Sequence, residues 1–170
     1  MELFDALDEN GEKKGYTIPR GSKIEDGDYM GIVNVLVCAE GNQFLITKRH
    51  PLKTAPNKWE ITGGGILAGE SPLLAAKREL AEETGIVLEE SQFHKIGQEV
   101  SGPFYAYLYM VILAKKPKIK LQPTETVDYK WLSKKVFFLA LKKDDFIPYL
   151  GKRLEKYQDK IEEVVKTKVK

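Results

Sequence analysis

Three glutamates in the segment Arg78-Glu79-Leu80-Ala81-Glu82-Glu83 are the side chains of this sequence best placed to do chemistry. In a helix each residue advances by roughly 100°. Glu79, Glu82 and Glu83 then stand at i, i+3 and i+4 and share a sector about 100° wide. Three anions on one patch repel one another, and Arg78 is a single cation. A hard divalent ion such as Mg²⁺, which takes carboxylate oxygens, is the natural counter-charge. The plainer reading is a solvated acidic helix face, which charge runs usually are. The preceding run Gly63-Gly64-Gly65 shifts the balance toward chemistry. Glycine lets backbone approach a ligand closely and can offer a carbonyl to a metal.

The elements that must position these groups are legible around them. Ser71-Pro72 reads as a hydroxyl cap followed by proline at the first helical position, and Gly85 is placed to end the helix after Thr84. Leu73, Leu80 and Ala81 lie off the acidic sector and are expected to face a core. Residues 59–62 read as a short extended piece feeding the glycine run as a loop, so the site is expected at a strand–loop–helix junction. Upstream, residues 3–7 and 16–18 flank the turn signal Asn10-Gly11 and predict a hairpin. Apolar runs predict strands over 29–37, 44–47, 93–100, 104–114 and 129–132. Residues 51–58 carry Pro51 and Pro56, and 115–124 are basic, so both are expected to be loops. From Lys134 onward the chain is expected to be helical with a break near Pro148. Leu150, Leu154, Tyr157, Ile161, Val164, Val165 and Val169 form one apolar stripe, expected to pack on the body. Strands, one helix, more strands and then helices describe an α/β chain of the α+β type, without regular βαβ alternation.

Gly64, Glu70, Arg78-Glu79, Leu80, Glu82-Glu83, Gly85 and Ile86 carry a longer pattern. With their spacing they resemble the Nudix box at every defined position, a far more specific match than a lone glycine motif. Leu45-Ile46-Thr47-Lys48-Arg49 looks like the strand ahead of that box, and Pro56-Asn57-Lys58-Trp59-Glu60 like its lead-in. Glu125 followed by Trp131-Leu132-Ser133 looks like the family's later loop acid and Trp strand. The resemblance covers about residues 29–135. Residues 2–29 are similar to the leader of Nudix proteins close to isopentenyl diphosphate isomerase.

The resemblance implies a mixed β-sheet sandwiched between helices, within a single domain over 1–170. Its parts would be a hairpin extension over 1–28, a core over 29–135 and a helical segment over 136–170. It also implies hydrolysis of a diphosphate linkage in a nucleoside diphosphate derivative or similar small molecule. Glu79, Glu82 and Glu83 would bind Mg²⁺ (or Mn²⁺), with the Gly63 carbonyl as a further ligand. Glu79 or Glu125 would take the proton from the attacking water, Arg78 would hold Glu79, and Glu70 would pair with Arg78. Arg49 and Lys48, at a strand end, are candidates for contacting a phosphate. Trp59 is expected in the core rather than stacked on substrate. Two other readings stay open: an isopentenyl-diphosphate-isomerase-like enzyme, and a nucleotide-binding module without turnover.

Composition narrows the partners. The 27 basic and 25 acidic residues leave a net charge of +2, which points neither to a nucleic acid polymer nor to a membrane surface. One cysteine, Cys38, excludes an intrachain disulfide and sits in an apolar run as a small hydrophobe. No apolar stretch approaches the ~20 residues of a membrane helix, and the amino terminus lacks the pattern of a signal peptide. A cytoplasmic monomer or homodimer is expected.

Overall fold

The computed structural model describes residues 1–168; Val169 of the expected stripe lies outside them. Among the described residues nine strands and four α-helices follow in the order β1 (Leu3–Leu7), β2 (Lys13–Pro19), β3 (Tyr29–Ala39), β4 (Gln43–Arg49), β5 (Trp59–Glu60), β6 (Thr62–Gly65), α1 (Pro72–Thr84), β7 (His94–Ser101), β8 (Phe104–Ile112), β9 (Thr126–Ser133), α2 (Lys134–Ala140), α3 (Pro148–Lys156) and α4 (Gln158–Lys168).

β3 organises the sheet. Along one edge it pairs in parallel with β8 from Met30↔Phe104 to Cys38↔Ile112. Along the other it is shared by three antiparallel partners in turn: β1 at Met30, β6 from Ile32 to Val35, and β4 at Cys38. β7 extends the sheet beyond β8, and β9 beyond β4. Successive side chains of a strand point to opposite faces, which splits the core in two. Val33, Val35 and Val37 face α1 with Leu45, Ala75, Ala76 and Leu80. Leu36, Cys38, Phe44 and Ile46 face α2, α3 and α4 with Phe137, Leu150, Leu154 and Ile161. The sheet is thus sandwiched between helices, the expected mixed α+β architecture.

Several boundaries differ from expectation, each for a physical reason. β2 begins at Lys13 rather than residue 16, because the turn is closed locally: the Asp8 carboxylate accepts from the N–H groups of Asn10 and Glu12. The glycine run is a strand, not a loop: Gly63, Gly64 and Gly65 pair with Asn34, Val33 and Ile32. β9 starts at Thr126, since its register with β4 reaches Arg49. The carboxy-terminal segment breaks twice, over residues 141–147 and at Tyr157, so the apolar stripe is divided between α3 and α4. Leu150, Leu154, Ile161 and Val165 are buried in the molecule's own core, as is Trp59. No helix among the described residues is long and apolar enough to cross a membrane.

Candidate active site

α1 is held at both ends as its sequence implies. The Ser71 hydroxyl accepts from Leu74 N at 3.2 Å, and Gly85, at φ 74°, donates its N–H to the Ala81 carbonyl. Its inner face is made by Ala75, Ala76 and Leu80, with Leu73 packed partly buried at its border as expected, whereas Ala81 is only partly buried and lies outside that cluster. Small residues let the helix lie close to the sheet. That closeness presses Glu79 and Glu83, one turn apart, against β6.

The glycines of β6 are required by this approach. A Cβ on Gly64 would overlap the Glu79 carboxylate, and one on Gly63 would overlap the Val33 carbonyl oxygen. Gly63 N–H donates to Glu83 Oε2 at 3.3 Å. In an extended strand the N–H and C=O of one residue point to the same side, so the Gly63 carbonyl shares the edge that faces this carboxylate.

The three glutamates are not equivalent. The side chains of Glu83 and Glu79 are 3% and 14% exposed, whereas that of Glu82 is 49% exposed at the rim. Burial pushes the Glu83 pKa well above the usual carboxylate range; Glu60 and Glu79 push the same way, and Lys53 and the Gly63 N–H oppose them. Burial also raises Glu79, partly offset by Arg78. Glu60 is raised by burial as well, and its Oε1 is a buried oxygen without a hydrogen-bond partner.

Arg78 is the hub. Its Nε and Nη2 grip both oxygens of Glu70 at 2.9 and 2.8 Å, Nη2 also reaches the Gly65 carbonyl, and Nη1 holds Glu79 Oε1 at 2.7 Å. The fork geometry of a guanidinium suits this bidentate grip. Glu70 accepts a further bond from Leu67 N; burial works against its charge, but these bonds outweigh it and lower its pKa.

Glu125 joins the group from the loop after residue 115. That loop is tied to the end of α1 by Lys120 N–H to the Thr84 carbonyl and by Gln122 N–H to the Glu83 carbonyl. Lys53 bridges the two, ion-paired with Glu125 and 4.0 Å from Glu83 Oε1. Sequence reasoning missed Lys53, since a lysine in a proline-containing loop carries no periodic signal. Glu79, Glu82, Glu83, Glu125, Arg78, Lys53 and the three glycines line one cleft of about 270 Å³. A larger groove of about 560 Å³ at the far end of β3 holds, among the described residues, no comparable group of carboxylates.

Arg49 and Lys48 do not line this cleft. Arg49 is occupied in holding Glu60 at 2.7 Å and the Thr54 carbonyl at 2.8 Å. Lys48 projects to the other face of the sheet, 5.7 Å above the Trp59 ring.

Hard oxygen donors on Glu79, Glu82, Glu83 and the Gly63 edge suit Mg²⁺ or Mn²⁺. A buried carboxylate beside two more, with one lysine at 4.0 Å, is short of positive charge. Among the described residues the acids are spaced by Arg78 and Lys53 rather than gathered into a three-ligand cage, so binding would draw Glu79 and Glu82 from Arg78.

The buried charge has a measurable consequence without metal. A carboxylate whose folded pKa is raised costs nothing at a pH low enough to neutralise it in both states. Its cost grows as pH rises from the ordinary value of 4.5 through the raised one. Glu83→Gln should therefore be more stable than wild type at pH 7 in chelator, by about 1–4 kcal/mol, with the gap closing by pH 4. Denaturant unfolding at both pH values checks this, and a wild type more stable at pH 7 contradicts it.

An acidic helix seated on a mixed sheet, with glycine backbone and an arginine-organised set of glutamates at its flank, defines a carboxylate-lined cleft suited to a divalent ion. Comparison with known proteins gives the family. The NUDIX domain model matches residues 28–152. The chain is 34% identical over 166 residues to Nudix hydrolase 3 of Arabidopsis thaliana, covering 87% of this chain and 22% of that protein. It is 32% identical over 152 residues to an uncharacterised Nudix hydrolase of Listeria monocytogenes, covering 88% and 90%. In fold it matches a Deinococcus radiodurans crystal structure with a TM-score of 0.75 at 19% identity, covering 93% of this chain and 98% of that one. It also matches a Francisella tularensis bifunctional NMN adenylyltransferase/ADP-ribose pyrophosphatase, solved with AMP and a Mn ion, with a TM-score of 0.60 at 21% identity over 78% and 42% of the chains. The chain belongs to the Nudix hydrolase family.

Proposed function

We propose that this protein hydrolyses a diphosphate linkage in a nucleoside diphosphate derivative or similar small molecule, with Mg²⁺ or Mn²⁺ held by Glu79, Glu82, Glu83 and the Gly63 carbonyl. The observation that carries this reading is the Glu79–Glu83 pair, buried against the glycine backbone of β6 and short of compensating positive charge. The metal, when bound, supplies charge neutralisation for the diphosphate and a more acidic water. The chain's own residues do the rest. Arg78 fixes Glu79, Glu70 fixes Arg78, and Lys53 faces the phosphates in the place expected of Lys48 and Arg49. Glu79 and Glu125 are the two carboxylates that can take the proton as water attacks phosphorus and the bridging oxygen leaves.

Cys38 supports hydrolysis over an isomerase-like reaction. It is fully buried on the sheet face away from α1, and burial pushes its thiol up to about 11, the opposite of a reactive cysteine. The presence of Glu70, Glu79, Glu82 and Glu83 together supports turnover over binding alone. The hairpin, core and helices are proposed to act as one unit, in the cytoplasm, as a monomer or homodimer.

The test is incubation with a panel of dinucleotides, nucleotide sugars, nucleoside triphosphates and isoprenoid diphosphates, with and without Mg²⁺. Release of phosphate or nucleotide only with metal is the expected result. Release that persists in chelator, or conversion of isopentenyl diphosphate without release, would overturn the reading.

A further inference from the structure

The cleft has a wall that the matched family region does not supply. Glu2, Phe4, Arg20 and Gly21 of the amino-terminal hairpin line it beside Glu79, Glu82 and Glu83, and all four precede residue 28, where the family match begins.

The hairpin's position is fixed by contacts with the segment leading into α1. Phe4 is buried against Gly65, where a Cβ would overlap its ring. The Leu3 carbonyl accepts from Ala68 N at 2.8 Å, and Asp5 Oδ2 accepts from Gly69 N at 2.9 Å. Arg20 follows the last rung of the β1–β2 ladder, Leu3↔Pro19, and its N–H donates to the Glu2 carbonyl at 2.9 Å. Its backbone is therefore rigidly referenced to the carboxylates.

Three cations line the cleft: Arg78, Lys53 and Arg20. Arg78 is committed to both oxygens of Glu70 and to the Gly65 carbonyl, and without metal also to Glu79 and Glu82, and Lys53 is engaged with Glu125 and Glu83. Arg20 has, among the described residues, a single side-chain partner: Glu2 Oε2, 2.5 Å from Nη1, with both side chains largely in solvent. Exposed pairs of this kind are weak, and the remaining donors of the guanidinium fork are available to an oxyanion.

We propose that Arg20 is a substrate-specificity residue, which leaves Glu2 to grip the phosphate on the hairpin side of a bound diphosphate. This rests on the reading of the cleft as a diphosphate site. It assigns the substrate class as diphosphates whose second phosphoryl group is ionised and reachable from the hairpin. Glu2 competes with that phosphate for Arg20.

The competition fixes the signs of two substitutions. Arg20→Gln weakens binding of methylenediphosphonate, measured by calorimetry with saturating Mg²⁺, about tenfold. For the best substrate of the panel it raises KM by a similar factor while kcat falls far less. Glu2→Gln tightens both by about two- to fivefold, and Arg20→Lys recovers part of the loss. Thermal midpoints of all three variants, compared with wild type, identify any loss of fold, and Glu2→Gln carries the test if Arg20→Gln fails it. Arg20→Gln binding as tightly as wild type, or the two substitutions shifting affinity in the same direction, overturns the proposal while leaving the hydrolase reading intact. Wild type that neither binds the probe nor turns over any compound overturns both.

Discussion

Glu83→Gln is expected to lower kcat/KM by about 10³-fold, a loss of roughly 4 kcal/mol of transition-state stabilisation, in a protein that remains folded. The side chain is buried and anchored by the Gly63 N–H, so glutamine keeps the shape and the hydrogen bond while removing the charge that would face a divalent ion. Glu82→Gln should cost less, about 10- to 100-fold. Glu82 sits at the rim and reaches Arg78 only at 3.4 Å. Steady-state kinetics across a Mg²⁺ titration separates the two, since the Glu82 loss should be partly recovered at high metal and the Glu83 loss should not. A Glu83→Gln enzyme keeping a tenth of wild-type activity would remove this residue from the mechanism.

The second large effect comes from a methyl group. Gly64→Ala should reduce turnover by about 10²-fold or more while leaving the melting temperature nearly unchanged. The nearest atoms to the added Cβ are all at the end of the Glu79 side chain, which can swing aside at little cost to folding but then leaves the place where Arg78 holds it. Gly63→Ala is the instructive contrast. Its Cβ meets the Val33 carbonyl oxygen and Asn34, which are part of the sheet, so stability falls together with activity. Kinetics and thermal melts of the two variants side by side check this. Equal destabilisation of both would mean that Glu79 is not free to move.

What could be read in advance divides along physical lines. The boundaries of α1 were legible because Ser71, Pro72 and Gly85 act locally, through capping and a left-handed turn. The apolar run from Ile32 to Cys38 predicted the long strand, but that Val33, Val35 and Val37 serve one core and Leu36 and Cys38 another shows only once helices cover both faces. The glycines of β6 were misread because composition says loop, whereas the pairing with β3 and the approach of α1 say strand; only the tertiary contact explains why side chains are missing there. Arg49 and Lys48 were placed at a strand end correctly, but which face each side chain takes depends on the register with β5 and β9. Lys53 gave no signal at all, because its position is set by a loop folding back over Glu125. The identity of Glu83 as the most deeply buried member of the acidic trio likewise follows from Ala75 and Ala76 letting the helix close on the sheet.

The pairing of β3 with β8 has a kinetic side. Met30 and Phe104 are neighbours across that ladder yet far apart along the chain, and non-local parallel pairing is slow because loop-closure entropy is spent before the contacts repay it. Helix α1 and the β1–β2 hairpin can form early from local contacts. The cleft beside them is lined by Gly63, Gly64 and Gly65 of β6 and by Met30 of β3, so it is complete only once β6 has docked on β3 within the sheet that β8 helps to hold. A chain caught before that step carries its acidic helix without the glycine backbone that shapes it, and so would have secondary structure but no catalyst.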